Sequence, residues 1–376
     1  MPELVVLTEQ LLAPVPGGTG RYTRELLAAL HASTPSGWTV AGVCATHLDL
    51  SPAVVAGVAG PRALPLGRRA LTALWERGIP LWPGGDAVHA PTPLAPPSRK
   101  RGRGLVVTVH DTVPFTHPET LTRRGAAWHQ AAIRRAVRRA NAVVVPTAAV
   151  AEDLHRHAPG PATVAVVGHG VPDALLIDLS RHEAALITGR LRLPETYVLA
   201  VGTVEPRKGL DVLVEAIARP EAPDLPLVVV GPRGWGEVDL TELASRHGLA
   251  DGRLHVTGHV TDEQLAAVLR RAAVLAVPSR AEGFGLPVLE AMAVGLPVVH
   301  TDVPALVEVA GGTGVVVPRE NPRALAAALA DVLADGAGTA TRAEQGRLRA
   351  AAFTWQHAAT ELWRLHTRFF ELADAR

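Results

Sequence analysis

In "EGFGLPVLE", Glu282 and Glu290 flank a turn holding Gly283, Gly285 and Pro287, and apolar residues run on at helical spacing through "AMAVG". A helix starting near Leu286 or Pro287 puts proline in its first turn, where the missing N–H costs least, and ends at Gly295. The amides of Gly283, Phe284, Gly285 and Leu286 then join the helix N-terminus as a site for phosphate oxygens. Neither acid need touch that phosphate. Glu290, in the first turn or so of the helix, and Glu282, ahead of it, can each accept hydrogen bonds from flanking hydroxyl groups, which suits a ribose on one side and a hexose on the other.

Three further groups have chemistry in them. "AVGTVEPRKG" ends a Val-rich run with Glu205, Arg207 and Lys208 before Gly209. A planar guanidinium fork beside a compact ammonium holds phosphate oxygens in two complementary ways, although charges on a loop can equally be a solvated face. "VVTVHDTVPF" ends another run with His110 and Asp111. His110 is either a hydrogen-bond donor to a substrate hydroxyl or a structural ring bonded to a nearby carbonyl. "PVPGGTGRYTREL" places Gly17, Gly18 and Gly20 between the first apolar run and a helical pattern. That loop either lets a backbone approach an anion or simply connects two elements, and Arg21 is either an acceptor contact or a solvated side chain. The spacing is not G-x-G-x-x-G, and no acid follows about twenty residues later, so a nicotinamide oxidoreductase is disfavoured.

These groups sit at the ends of short Val-rich runs: "LVVLTE", "VAGVCA", "AVHAP", "LVVTVH", "AVVVPT" and "TVAVVGHG", then "YVLAVGT", "LVVVGP", "LHVTG", "VLAVPS", "PVVHT" and "GVVVP". Lacking polar alternation, they read as strands buried on both faces, and the helical patterns between them make two doubly wound α/β domains. A weakly patterned stretch puts the boundary near 172 to 195. The expected division is a first domain over 1–180, a second over 190–355, and a helix over 356–376 whose aromatic stripe packs back on the first. Such sheets bind ligands beyond the carboxyl ends of their strands, so a cleft between the domains is the expected functional region.

Composition narrows the classes. With 376 residues, 48% hydrophobic, 19% charged and a net charge of +1, the chain is a globular protein and not a strongly electrostatic nucleic-acid binder. No apolar run is long enough to span a bilayer, and the N-terminus reads as a strand and not a signal peptide, so a cytoplasmic location is expected. Cys44, the single cysteine, falls in a buried strand and is given no function. The basic stretch "SRKRGR" at 98–103 and the arginines of 123–139 are either a solvated face or a peripheral contact with anionic lipid heads at the inner membrane face.

In order along the chain, "GGTGRYTREL", "VHDTVPF", "VGHGVP", "GTVEPRKG" and "TGHVTDEQLAAVLRRAAVLAVPSRAEGFGLPVLEAMAVGLPVV" resemble the landmarks of the retaining GT-B glycosyltransferases of family 4, with "EGFGLPVLE" similar to their E-x7-E motif. The resemblance implies a nucleotide-sugar donor held mainly by the second domain, an acceptor held mainly by the first, and transfer with retention. By position, Glu282 would bind donor sugar hydroxyls, Glu290 the ribose, and Val260 of "GHV" would lie by the nucleobase. Arg207 and Lys208 would hold the diphosphate, helped by the amides of Gly283, Phe284, Gly285 and Leu286 and by the Gly18 loop, with Arg21 beside it. His110 would contact the donor sugar near the reacting centre. Many relatives carry arginine where Thr203 follows Gly202, so Arg207 belongs to a variant pattern.

The pattern "GTVEPRKG" resembles mannosyl transferases, which makes GDP-mannose the first expected donor and a UDP-hexose the second. The acceptor, whether glycan, glycolipid or small molecule, carries no sequence signal. No Asp-x-Asp pair is present, so no metal and no cofactor are expected, with Arg207 and Lys208 taking the metal's place. A same-face displacement assisted by the leaving phosphate fits better than a covalent intermediate. A nucleotide-sugar-binding protein of the same fold without transfer is the alternative; loss of Glu282, Lys208 or the glycine loop would mark it, and all are present.

Overall fold

The computed structural model describes residues 1–236 and 238–374. The chain divides into two compact units, residues 1–170 together with the C-terminal segment from Thr354, and residues 171–353.

The first unit is built on a seven-stranded sheet: β1 (Glu3–Leu7), β2 (Thr39–Thr46), β3 (Ala59–Gly67), β4 (Ala87–Ala90), β5 (Gly104–Thr108), β6 (Ala142–Val145) and β7 (Thr163–Val166). They lie in the order β3-β2-β1-β4-β5-β6-β7, every pair parallel. Alternate residues of β1 serve two cores: Val5 and Leu7 pack on one face of the sheet, Leu4 and Val6 on the other. This is why the strand has no polar residue in "LVVL". The final helix, Trp355–Asp374, closes the second of these cores through Trp355, Ala358, Ala359, Leu362 and Trp363. Trp363 Nε1 donates to the Leu30 carbonyl at 3.0 Å, giving the buried indole its partner. Cys44 lies in β2, 1% exposed, and burial pushes its thiol up to about 11.

The second unit repeats the architecture with six strands: β8 (Val198–Val201), β9 (Leu227–Val230), β10 (Leu254–Gly258), β11 (Val274–Val277), β12 (Val298–Thr301) and β13 (Val315–Val317). Their order is β10-β9-β8-β11-β12-β13, again all parallel. Leu199 faces one core and Val198 and Ala200 the other. Val171 and Leu175 belong to the first of these cores, with Leu179, Leu191 and Leu193 packed against it, so the weakly patterned stretch from 171 folds with the second unit. In each sheet the chain order reverses once, between β1 and β4 and between β8 and β11, and such a switch point opens a crevice at the carboxyl ends of the two strands. No described helix is long and apolar enough to cross a membrane.

Candidate active site

In the second unit the switch point brings together residues far apart in sequence. β8 and β11 are hydrogen-bonded neighbours, so the segments that leave their carboxyl ends meet. After β8 the chain makes a short 3-10 turn, Pro206–Lys208, ended by Gly209 at φ +62°. A Cβ at Gly209 would stand 2.2 Å from the Pro278 carbonyl oxygen, so only glycine allows this turn to lie against the end of β11. After β11 come Ser279 and Glu282. Gly285, at φ +95°, then turns the chain into the helix Leu286–Ala293, with Pro287 in its first turn.

Glu282 is the centre of this arrangement. Its side chain is 7% exposed, and both oxygens are engaged: Oε1 accepts from Lys208 Nζ at 2.6 Å and Ser279 Oγ at 2.8 Å, Oε2 from Arg207 Nη1 at 2.9 Å. Burial alone would raise the pKa of this carboxyl, but the charges of Lys208 and Arg207 outweigh it and hold the group down at about 2. It is a carboxylate at any physiological pH. Arg207 is pinned further by the Ala281 carbonyl at 3.1 Å and by Glu205, whose Oε1 accepts from Nε at 3.1 Å and Nη2 at 2.7 Å. Lys208 spends one of its three N–H donors on Glu282. The two cations therefore differ: Arg207 is built into the wall, while Lys208 retains donor capacity.

The other expected residues of this unit surround that cluster in the chain. Gly283 and Phe284 are buried and Leu286 is half-buried. Phe284 meets Phe353 edge-on, ring centroids 5.9 Å apart. Glu290 is the fifth residue of its helix, one turn past the start, and is 3% exposed. Val260, two residues beyond β10, is half-buried against the core beneath the helix. Ser279 has no counterpart among the sequence-derived candidates; a lone serine carries no chemical signal until its acceptor is known.

Gly18, Arg21 and His110 belong to the first unit. The expected glycine loop is instead the first turn of a helix, Gly17–Ala32, whose N-cap Pro16 already has helical dihedrals. Gly20 N–H donates to the Pro16 carbonyl at 2.9 Å, which closes that turn. Gly18 is exposed and Arg21 half-buried. His110, just past β5, donates from Nε2 to the Pro91 carbonyl at 2.8 Å. Desolvation lowers its pKa, opposed by this hydrogen bond and by Asp111, so the ring is neutral at pH 7 and Nδ1 is an acceptor. Tyr22 holds the ring edge-on with centroids 4.6 Å apart, its own hydroxyl bonded to Thr108 at 3.0 Å. Among the described residues no cluster of three or more His, Cys, Asp or Glu side chains is placed to hold a metal ion.

Residues 16–175 match the family described as Glycosyltransferase Family 4, and residues 195–335 match Glycosyl transferases group 1. The chain belongs to glycosyltransferase family 4. Among family relatives, the O-antigen chain mannosyltransferase B of Escherichia coli is 29% identical over 277 residues, which cover 73% of this chain and 72% of that protein. The D-inositol 3-phosphate glycosyltransferase of Salinispora arenicola is 38% identical over 245 residues, covering 60% of this chain and 54% of the relative, so the chain spans little more than half of that protein. The sucrose-phosphate synthase structure from Thermosynechococcus elongatus superposes with a TM-score of 0.76 at 23% identity, over 99% of this chain and 100% of that one. The fold is thus GT-B, two Rossmann-like sheets.

Proposed function

We propose that this family 4 glycosyltransferase moves a hexosyl group, mannosyl by preference, from a nucleoside-diphosphate sugar to an acceptor hydroxyl with retention of configuration. The observation that carries this reading is the Glu282 carboxylate held by Lys208, Arg207 and Ser279 at the switch point of the second sheet. Departure of a nucleoside diphosphate builds negative charge on phosphate oxygens, and preorganised donors stabilise it most where water is excluded. Lys208 supplies the cation with donors to spare, and the amides of Gly283, Phe284, Gly285 and Leu286 at the start of the helix Leu286–Ala293 supply the rest. Arg207 fixes the Glu282 carboxylate and adds positive field, and no divalent metal is invoked.

Glu282 binds hydroxyls of the transferred sugar, Glu290 those of the ribose, and Val260 lies by the base. In the first unit the reading gives His110 Nδ1 a sugar hydroxyl to accept from, and gives the Gly18 turn and Arg21 contacts to phosphate or acceptor. A carboxylate with a pKa of about 2, already accepting three hydrogen bonds, is a weak nucleophile. This favours a same-face displacement. The bond from the anomeric carbon to the phosphate oxygen breaks and the bond to the acceptor oxygen forms on that face, while the acceptor's proton passes to the departing phosphate. The mannosyl preference rests on "GTVEPRKG" and on the E. coli relative's name.

Thermal stabilisation across a panel of nucleotide sugars tests the reading. GDP-mannose should give the largest shift, since a ligand at a hundred times its Kd adds about 2.7 kcal/mol, and Lys208→Met should abolish it. No shift with any nucleotide sugar would overturn the proposal.

A further inference from the structure

The first unit contains a cavity of about 510 Å³ at its own switch point. That volume falls in the usual range for small-molecule sites, roughly 300–1,000 Å³. Its wall includes the segment after β1, with Glu9; the segment after β4, with Thr92; the segment after β5, with His110 and Asp111; and Trp128 and His129 from the helix Arg123–Arg139. We propose that this cavity binds the acceptor as a neutral saccharide, with an uncharged sugar ring against Trp128 and its hydroxyls on Asp111, and that it rejects sugar phosphates and inositol phosphates. The inference rests on the transferase reading above and narrows its acceptor.

The charges decide the class. A phosphomonoester brings a charge of about −1.5 to −2 at pH 7, and enclosing it requires cations placed on its oxygens. The cavity wall has one guanidinium, Arg68, against two carboxylates, Glu9 and Asp111. Arg68 Nε already lies 3.6 Å from Glu9 Oε1. Glu9 in turn is fixed by the Ala45 amide and His47 Nε2, each at 2.9 Å, so the carboxylate that Arg68 faces is a built part of the wall. The two histidines add no charge near neutrality, because burial lowers the pKa of each despite the nearby Asp111. No surplus cation remains for phosphate.

The same wall suits sugar hydroxyls. Asp111 uses Oδ1 to accept from the Val113 amide at 3.1 Å, and its second oxygen has no partner among the described residues. A carboxylate with acceptor capacity, a threonine and neutral imidazoles pair with vicinal hydroxyls that both donate and accept. Trp128, half-buried and set edge-on to His129 with centroids 4.7 Å apart, offers apolar area to the C–H face of a ring.

Binding of methyl α-mannoside, mannobiose, mannose 6-phosphate and inositol 3-phosphate to the full chain without donor, followed by saturation-transfer NMR and tryptophan fluorescence, tests this alone. Neutral sugars should bind more tightly than the phosphates, Trp128→Ala and Asp111→Asn should each weaken them roughly tenfold or more, and Trp128→Phe should recover most of the loss. GDP should not compete. Preference for a phosphorylated sugar, indifference to both substitutions, displacement by GDP, or no binding of any neutral sugar would each overturn the proposal. Donor binding measured on the same samples separates the two claims: GDP-mannose bound without neutral-sugar binding refutes the saccharide pocket only, and failure of every nucleotide sugar refutes the transferase reading.

Discussion

Glu282→Gln should separate two roles that the proposed function gives to touching side chains, sugar binding by Glu282 and diphosphate binding by Lys208 and Arg207. The site moves the Glu282 carboxyl from an ordinary 4.5 to about 2, so it favours the charged form by about 3 kcal/mol at roughly 1.4 kcal/mol per tenfold. The neutral amide forfeits that term. Lys208 and Arg207, with side chains 14% and 20% exposed, recover part of their hydration, so the second unit should lose about 2–3 kcal/mol of stability. The same change frees both cations from a competing anion. GDP affinity, read by calorimetry, should therefore hold or increase. Turnover should fall, because a hydrogen bond from a sugar hydroxyl to a charged acceptor contributes about 1.5–3 kcal/mol, or roughly 10- to 150-fold in rate. Nucleotide release with saturating acceptor measures it. A GDP affinity that drops by the same factor as kcat would refute the separation of sugar-binding acid from diphosphate-binding cation.

Gly209→Ala should destabilise the second unit and slow transfer together, since a left-handed backbone costs about 1–2 kcal/mol for alanine and its Cβ meets the Pro278 carbonyl; an unchanged melting temperature would contradict this. The first unit should be acid-sensitive. Burial holds the pKa of fully buried His366 at about 3 and that of His89 well below its ordinary value, so both are neutral when folded and bind protons when unfolded below about 6.5. Their contribution is present above 6.5 and is lost as pH falls towards 3, at about 1.4 kcal/mol per pH unit for each ring. Urea melts at pH 7.5 and 5.5 should differ accordingly, and His366→Leu should narrow the difference; an equal difference would count against it. Exposed Arg123, Arg124, Arg138 and Arg139 should give salt-sensitive binding to phosphatidylserine vesicles, at about 1 kcal/mol per engaged arginine, and no binding at low salt would leave them as a solvated face.

The central strands were legible because burial on both faces forces uninterrupted Val-rich runs. β3 was not, and its residues explain why: "AGPRALPLG" carries Pro61 and Pro65, is mostly exposed, and pairs only with β2. Proline is tolerated at such an edge, where no second neighbour needs its amide. The glycines after β1 read as a loop, yet Pro16 starts the helical turn that includes them. At the site, Lys208, Arg207 and Glu282 could each be singled out by type and position. Their pairing could not, because Lys208 and Glu282 are 74 residues apart and meet only through the adjacency of β8 and β11. Trp128 and His129 read as part of a helical pattern, and their place in a cavity wall depends on which helix face packs down.

The most direct test of the central claim is transfer of labelled mannose from GDP-mannose to a neutral saccharide acceptor by the wild-type chain and by Lys208→Met, with product configuration read by NMR. The account predicts an α-linked product from the wild type and a rate lower by about a hundredfold or more in the variant. A β-linked product, or equal rates for the two proteins, would contradict it.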